Sequence, residues 1–450
     1  MVLIRMRWLL PCIPLFCASG AALAQAGSSM ADALTLHEAI ARSASANPEL
    51  KAFEYVLSAQ DGRALQAGLK PNPELVIDIE DALGTGERRG FSGAQTTIAL
   101  RQQFERGAAQ TRVAAARAGR GTLAAELHEK RLEVSVETAR RFALVLSNQA
   151  RLQLMQEAIN LAKQALAAVQ VRVQAAKAPE AELARAAAQL ARAELDYEDC
   201  EHELLTAKHQ LAALWGASQP DFDSAAGSMA NLAKLAPFEQ YSERIKANPS
   251  LQKFSSELAL REAELRLAEQ RRKPAWELTA GVRRLEQGND FAGVIGISIP
   301  LTWNDHGQGQ TATAQASLEK VGADRQASEV QLVAHLFALY QELGHALHVL
   351  KKLDAEVLPR MRDALKQTEY AYTRGRYGYL ELLGAQRELL EIQVAKIQAE
   401  ADALRYAIEI DRVIGAVPGT PEAVTQISLA QATRKTSLAQ ATRQTNETQK

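Results

Sequence analysis

The segment 276–300, WELTAGVRRLEQGNDFAGVIGISIP, decides how the rest of the chain is read. Trp276, Leu278, Ala280 and Val282 fall on one face of an extended strand, with Glu277, Thr279 and Arg283 on the other. Gly288-Asn289-Asp290 marks a turn, after which Phe291, Ile295, Ile297 and Ile299 share a face opposite Ser298 and small residues. Apolar–polar alternation with a period of two is the signature of a strand between two unlike environments. The pattern has a counterpart upstream. Leu75, Ile77 and Ile79 oppose Glu74, Asp78 and Glu80, and Ile98, Leu100 and Phe104 oppose Thr97, Arg101 and Gln103, with Gly84, Gly86 and Gly90 loosening the connection. Four strands are expected, at about 74–81, 93–104, 275–285 and 291–300. Each is about ten residues long, enough for a tilted strand to cross a bilayer with its apolar face to lipid. Phe91, Phe104, Trp276, Phe291 and Trp303 sit near strand ends, where interfacial aromatic girdles belong. Four strands cannot close a barrel, and lipid does not tolerate open edges, so a membrane-spanning sheet must be shared among protomers. Two hairpins on a soluble protein is the competing reading.

The two hairpins belong to a longer duplication. Ala46-Asn47-Pro48-Glu49-Leu50 returns as Ala247-Asn248-Pro249-Ser250-Leu251 at an offset of 201, and Lys70-Pro71 as Lys273-Pro274 at 203. Phe91, Gly107 and Gln110-Thr111 return at 200, and Trp215-Gly216 is matched by Ile414-Gly415 at 199. Each half therefore has the order short helix, two strands, long helix, short helix. Residues 108–176 lack proline and predict a rod of about 100 Å, with 309–374 as its partner. The segments 35–68, 180–215, 240–272 and 378–415 predict rods about half as long, so two end to end match one long helix. The rods are alanine-rich, as in ARAAAQLARA at 184–193, which favours helix and lets neighbours approach closely. From the helices alone, an extended coiled coil without a channel remains open.

The composition of the 450 residues neither demands nor forbids this picture. Lys+Arg number 52 against 53 Asp+Glu, 47% of residues are hydrophobic and 5% aromatic. The mean hydropathy is −0.19. The charge balance offers no basic face, which argues against nucleic acid as a partner. Past the first 24 residues no uncharged apolar run is long enough for a transmembrane helix. Residues 1–24 read as an export signal: Arg5 and Arg7, an apolar stretch from Trp8 to Leu23, and Ala22-Leu23-Ala24 before cleavage. Cys12 and Cys17 lie inside it, leaving Cys200 as the mature thiol. The stretch 417–450, with its duplicated SLAQATRKT/SLAQATRQT, is expected to be a disordered polar tail.

With these features in place, the chain resembles the TolC-like outer-membrane efflux factors, in particular the CzcC-type branch that serves heavy-metal exporters. The resemblance rests on LTLHEAIARSASANPEL, GLKPNPELVIDIED, ALWG, ISIPLTWNDHGQGQ and TRGRYGYLELLGAQREL, and spans about residues 34–416. It implies a mainly α fold with a small β part: a TolC-like α-helical barrel on a shared β-barrel, four strands per protomer and twelve in a homotrimer. The implied division is 1–24 signal peptide, 25–226 first efflux repeat, 227–416 second repeat and 417–450 tail. The implied function is a passive exit duct in the outer membrane, extending into the periplasm. It would carry heavy-metal cations of the Co/Zn/Cd or Ni/Cu class, with organic-toxin efflux or type I secretion as the alternative. The implied partners are a periplasmic adaptor and a proton-driven inner-membrane transporter of the resistance-nodulation-division class, with no cofactor.

The resemblance also implies a tip that closes and opens. Tyr372 and Gly375 match the family's Tyr and Gly at the second coil tip. Glu381 falls where an acid lines the constriction, and three copies would focus negative potential on cations. Gly384 replaces a second acid, and Tyr377 stands where a gate-locking Arg is found, so Arg374 or Arg376 is expected to substitute. Glu182 is the repeat-equivalent of Glu381. Both glutamates also read simply as first-turn acids at helix N-termini. A soluble periplasmic coiled-coil adaptor is the reading from another class. His345 and His348 stand three apart without cysteine or carboxylate companions, and no nucleophile elbow, phosphate loop or zinc spacing occurs. No enzyme is expected.

Overall fold

The computed structural model describes residues 33–229 and 235–425; the expected export signal and the duplicated nonapeptide lie outside them. The described chain begins with a two-residue strand, β1 (Leu34–Thr35), and a short helix, α1 (Leu36–Ala46), capped by the Thr35 hydroxyl, which accepts from Glu38 N. Helix α2 (Pro48–Gly68) leads to strands β2 (Glu74–Glu80) and β3 (Gln95–Phe104). The long helix α3 (Ala108–Gln174) turns back into α4 (Glu180–Ala213). After strand β4 (Ala225–Ala226) the order repeats: α5 (Phe238–Arg244), α6 (Pro249–Arg271), β5 (Trp276–Leu285) and β6 (Asp290–Ser298). The second rod is α7 (Gln308–Lys352) and α8 (Leu358–Thr373) joined by a π-helical turn at Leu353–Val357, and α9 (Tyr379–Ile414) returns. At 67 residues, α3 is about 100 Å long. No described helix is long and apolar enough to cross a membrane.

Three expected rods are interrupted, each at a proline. The segments 35–68 and 240–272 break at Asn47-Pro48 and Asn248-Pro249, because a proline pushes the preceding residue out of helical geometry and then opens the next helix. The rod 309–374 carries its π turn immediately before Pro359, whose missing N–H removes one i→i−4 bond from the ladder.

The two Asn-Pro breaks explain the repeat. Asn47 is 5% exposed; its Oδ1 accepts from Glu49 N at 2.9 Å and Leu50 N at 3.1 Å, capping α2. Its Nδ2 donates to the carbonyl of Leu214, just past the end of α4, at 2.9 Å. Asn248 does the same in the second half. Its Oδ1 accepts from Ser250 N at 2.8 Å, and its Nδ2 donates to Val413 O at 2.7 Å and Arg412 O at 3.1 Å, at the end of α9. One amide thus satisfies orphan donors of one helix and orphan acceptors of another. Gly415 ends α9 at φ +75°, and a Cβ there would lie 3.1 Å from Asn248 Cα, so the close approach of the two helix ends requires glycine. The duplicated Ala-Asn-Pro and Gly motifs are the two sides of one junction, built once per half.

The core surrounds these junctions at mid-length. One cluster gathers Leu34, Leu36, Phe142, Val145, Leu211 and Ile408 from β1, α1, α3, α4 and α9; a second gathers Tyr241, Ile245, Leu251, Leu343, Ile410 and Ile414. Helix α9 contributes to both, and Arg140 of α3 donates from Nε to Glu409 at 2.6 Å. A parallel ladder pairs Leu34 with Ala225 and Thr35 with Ala226, braced by Gln149, whose amide bonds both backbone groups of Ala225.

The chain does not become a loose tail at 417. Ala423, Val424 and Thr425 are buried, and the carboxylate of Asp411, fully buried in α9, accepts from Val424 N at 2.6 Å and Thr425 N at 3.0 Å. The ordered wall therefore runs at least to 425, because these amides need an acceptor and Asp411 supplies one. Burial pushes the Asp411 carboxyl up from 3.8 to about 6, against the pull of those N–H groups and Arg244. A carboxyl raised on folding stabilises the fold below its unfolded value and loses that contribution as pH rises through about 6. Residues 417–425 should hence be held more tightly at about pH 5 than at about pH 8, by roughly 1.4 kcal/mol. Exchange protection of the Val424 and Thr425 amides, corrected for intrinsic rates, measures this. Asp411→Asn should flatten the dependence and lower protection throughout, since an NH2 donor replaces one of the two oxygens that each accept a backbone N–H; a pH-dependent Asp411→Asn profile would assign the titration elsewhere.

Candidate functional site

The four long strands form one antiparallel sheet in the order β2-β3-β5-β6. Register brings the apolar residues into rows: Leu75–Leu100–Ala280–Ile295, Ile77–Ile98–Val282, and Leu278–Ile297. All lie on one face, where Ile77 is 59% exposed, Ile295 80% and Ile297 65%. Leu75, Ile79, Leu100, Val282 and Ile299 are likewise exposed, while Leu278 is half-buried. The opposite face is polar and cross-linked. Arg283 pairs with Glu80 at 3.0 Å and donates to Thr97 Oγ1 and Gln95 Oε1, and Arg101 lies 3.7 Å from Glu74. Ala99 faces Gly281 there, where a Cβ would fall 2.4 Å from Ile98 O; the absent side chain lets β3 and β5 close toward the polar side. A soluble sheet buries its apolar face. This one presents it, so the surroundings of that face must be apolar.

Aromatics mark both ends of the sheet. Phe104 stacks on Trp276 with centroids 4.5 Å apart at the end facing the helices, where Trp303 is also exposed. Phe91 and Phe291 are exposed at the far end. Strands β2 and β6 are the two edges, and each pairs on one side only among the described strands.

At the other extreme of the molecule, α3, α4, α8 and α9 meet in two turns. The turn after α3 is closed by Lys177 N→Arg172 O at 2.8 Å, and the turn after α8 by Arg376 N→Ala371 O at 2.9 Å, equivalent positions in the two repeats. Ala176 and Gly375 take the left-handed position in each. The expected tip residues separate into two groups. Gly375, Arg374, Arg376, Tyr377 and Glu381 are exposed; Arg374 lies over the Tyr370 ring at 5.3 Å, and Glu381 Oε2 accepts from Gly378 N at 3.0 Å. Tyr372, at 2% exposure, and half-buried Glu182 belong to an interior cluster with Tyr379, Val169, Leu365 and Leu382.

The centre of that cluster is Arg172, which sequence reasoning does not single out. Its guanidinium carbon lies 4.4 Å from the centroid of the Tyr372 ring, and its Nη1 donates to the Tyr372 carbonyl. Burial chiefly raises the Tyr372 phenol above its ordinary value; Arg172 opposes the shift and Glu182 adds to it. Burial raises Tyr379 as well. Among the described residues no group of His, Cys, Asp and Glu could hold a metal ion. Cys200 is a buried free thiol beside Met155 and Leu154, raised by burial.

Half-length and full-length helices thus form one wall, continued by a sheet with one exposed apolar face and one charged, cross-linked face. The chain belongs to the outer membrane efflux protein family, which matches it over residues 39–217 and 241–416. It is 28% identical, over 85% of its length and 90% of the relative's, to the cobalt-zinc-cadmium resistance protein CzcC of Cupriavidus metallidurans. Its fold is similar to that of a membrane protein from Pseudomonas aeruginosa, with TM-score 0.70, 16% identity and 88% of this chain covering 92% of that one. It is also similar to the open state of the MtrE outer membrane channel of Neisseria gonorrhoeae, with TM-score 0.64, 16% identity and coverage of 85% and 89%. The sequence expectation of a mainly α, TolC-like fold with a small sheet holds, and the family is one of efflux channels rather than enzymes.

Proposed function

We propose that three copies of this chain form one tube, a passive exit duct for heavy-metal cations of the Co/Zn/Cd or Ni/Cu class. Twelve strands would close a barrel in the outer membrane, and the helices would extend it into the periplasm. A periplasmic adaptor would join it to an inner-membrane resistance-nodulation-division transporter that supplies the energy. In this reading, 1–24 directs export and 25–226 and 227–416 are the two repeats of the wall. The unpaired edges of β2 and β6 support sharing of the barrel, since open edges are not tolerated in lipid. Exposed apolar residues on the flanking helices, Tyr55 and Leu65 of α2 and Val330 and Phe337 of α7, support sharing of the wall. The captured open state of MtrE supports a tip that also closes. There Glu381, exposed and fixed by its bond to Gly378 N, would form a ring that attracts cations.

The observation that carries the metal assignment is the identity with the cobalt-zinc-cadmium resistance protein along most of both chains. The test is a deletion strain grown across Co, Zn, Cd, Ni and Cu. It should become more sensitive to, and retain more of, at least one of these cations, and the intact gene should restore the parental level. Parental behaviour toward all five would move the substrate to organic toxins or secreted protein.

A further inference from the structure

We infer that the boundary between sheet and helices holds a binding site for anionic phospholipid, built from Arg106, Arg271, Arg272 and Lys273. The inference rests on the reading that the apolar sheet face meets a bilayer, and it names the headgroups that this face selects. Lys-Pro opens each hairpin, Lys70-Pro71 before β2 and Lys273-Pro274 before β5. A proline disfavours helical geometry in the residue before it, so α2 ends at Gly68 and α6 at Arg271, and each lysine stands where the chain enters the sheet. Both lysines are exposed, as are Arg106, Arg271 and Arg272. Gln270 gathers the group: its Oε1 accepts from Lys273 Nζ at 3.1 Å and its Nε2 donates to the Arg106 carbonyl. Arg272 lies across Gly307 at the start of α7, where a Cβ would fall 3.1 Å from its Cγ.

These cations are left over from the pairing of the rest. Among the described residues none of Lys70, Arg106, Arg271, Arg272 and Lys273 pairs with a carboxylate, although the whole chain balances 52 Lys+Arg against 53 Asp+Glu. Of the nearby acids, Glu105 pairs with Arg112 at 2.6 Å and Asp305 accepts from Gly307 N at 2.8 Å. Glu74 and Glu277 sit on the polar face, which leaves exposed Glu269 against the five cations. Arg106 follows Phe104 by two residues and Lys273 precedes Trp276 by three, about 7–10 Å of extended chain. The stacked Phe104 and Trp276 mark the edge of the apolar band, and the headgroup layer beyond it is about 5–8 Å deep on each side of a bilayer. The cations therefore fall among the phosphates, which guanidinium groups bind bidentately and an ammonium binds as a point charge. Strands β3 and β5 are the two inner strands, so this stretch of boundary is flanked by the chain's own strands rather than by a second copy. At the far end of the sheet Arg88 is paired with Asp81, and Arg284 with Glu286 at 3.1 Å, which leaves Arg89. The selection thus belongs to the leaflet nearer the helices.

Tryptophan quenching by brominated lipid reads the site, because Trp276 and Trp303 lie on this rim, 39% and 79% exposed. The purified full-length protein is reconstituted in phosphatidylcholine vesicles carrying a minor share of brominated phosphatidylglycerol or, in parallel, of brominated phosphatidylcholine. At low salt the anionic quencher should be enriched roughly fivefold at these residues, the effect of about one cation–headgroup contact. The preference should shrink as added salt screens it. Replacing Arg106, Arg271, Arg272 and Lys273 together by Gln should abolish the preference and leave quenching by brominated phosphatidylcholine unchanged. Equal quenching by the two lipids in wild type overturns the site, as does a variant that keeps the preference. If the variant does not insert, wild type decides alone: a preference indifferent to salt overturns the site. Inorganic phosphate that removes the preference at matched ionic strength, where chloride does not, assigns the residues to free anion and overturns the lipid. Quenching by neither lipid overturns the bilayer reading of the sheet instead.

Discussion

A chain carrying Asp at both Ile77 and Ile297 is expected to be lost from the outer-membrane fraction. The two residues lie on the exposed apolar face, on the outermost strands β2 and β6, so they test both margins of the sheet. Ile77 sits mid-strand, paired with Ile98, which in turn pairs with Val282; Ile297 pairs with Leu278 nearer the helices. A carboxylate on the lipid face costs about 1–3 kcal/mol at such depths, less than a lysine or arginine but repeated in every protomer of a shared barrel. Two carboxylates cost about 2–6 kcal/mol in one copy and about 6–18 in three, against a margin of roughly 5–15 kcal/mol, so the penalty grows as copies assemble. Asp at Ser298, on the polar face beside Glu277, should insert normally and serves as the control. Outer-membrane yields equal to wild type for the double variant would mean that the apolar face meets protein, not lipid.

The second large effect is expected at Asn248. Replacement by Ala removes the cap on Ser250 N and both bonds to Val413 O and Arg412 O, in a site that is 5% exposed. The backbone groups left behind are buried, so the loss should be about 2–4 kcal/mol, above that of an ordinary exposed cap. Asn248→Asp keeps the shape and the cap but turns an oxygen toward two carbonyl oxygens, and should destabilise by at least as much. Denaturant unfolding of the solubilised protein measures both. Because a Cβ at Gly415 would lie 3.1 Å from Asn248 Cα, Gly415→Ala combined with Asn248→Ala should cost less than the sum of the two. An Asn248→Ala variant within about 0.5 kcal/mol of wild type would reduce the Ala-Asn-Pro repeat to a turn with no bracing role.

The two hairpins are legible in the sequence because each strand alternates an apolar face with a polar one, and the expected ends fall within three residues of those observed. The rods are legible because long alanine-rich runs with few breakers favour helix. The interruptions at Asn47, Asn248 and the π turn are written in Pro48, Pro249 and Pro359, but a reading that follows periodicity over many residues passes across a single proline. Strands β1 and β4 are two residues each and carry no pattern. Residues 417–425 look like the start of a polar tail because Asp411, the group that holds them, is itself a charge within a helical run. The family resemblance points to Tyr372 and Gly375 at the turn after α8, and duplication relates Glu182 to Glu381. Neither finds Arg172, since the contact with Tyr372 joins residues 200 apart and has no repeat-equivalent to announce it.

The bracing asparagines also set an order of events for a chain made N-terminus first. Asn47 must wait for Leu214, 167 residues later, and Asn248 for Val413, 165 residues later. Loop closure over such spans is slow but only weakly dependent on length. Each half therefore stays unlatched until its own last helix has arrived, and then closes on a partner from the same half. The first half can latch before the second is complete, so the duplication lets each half close on a partner of its own.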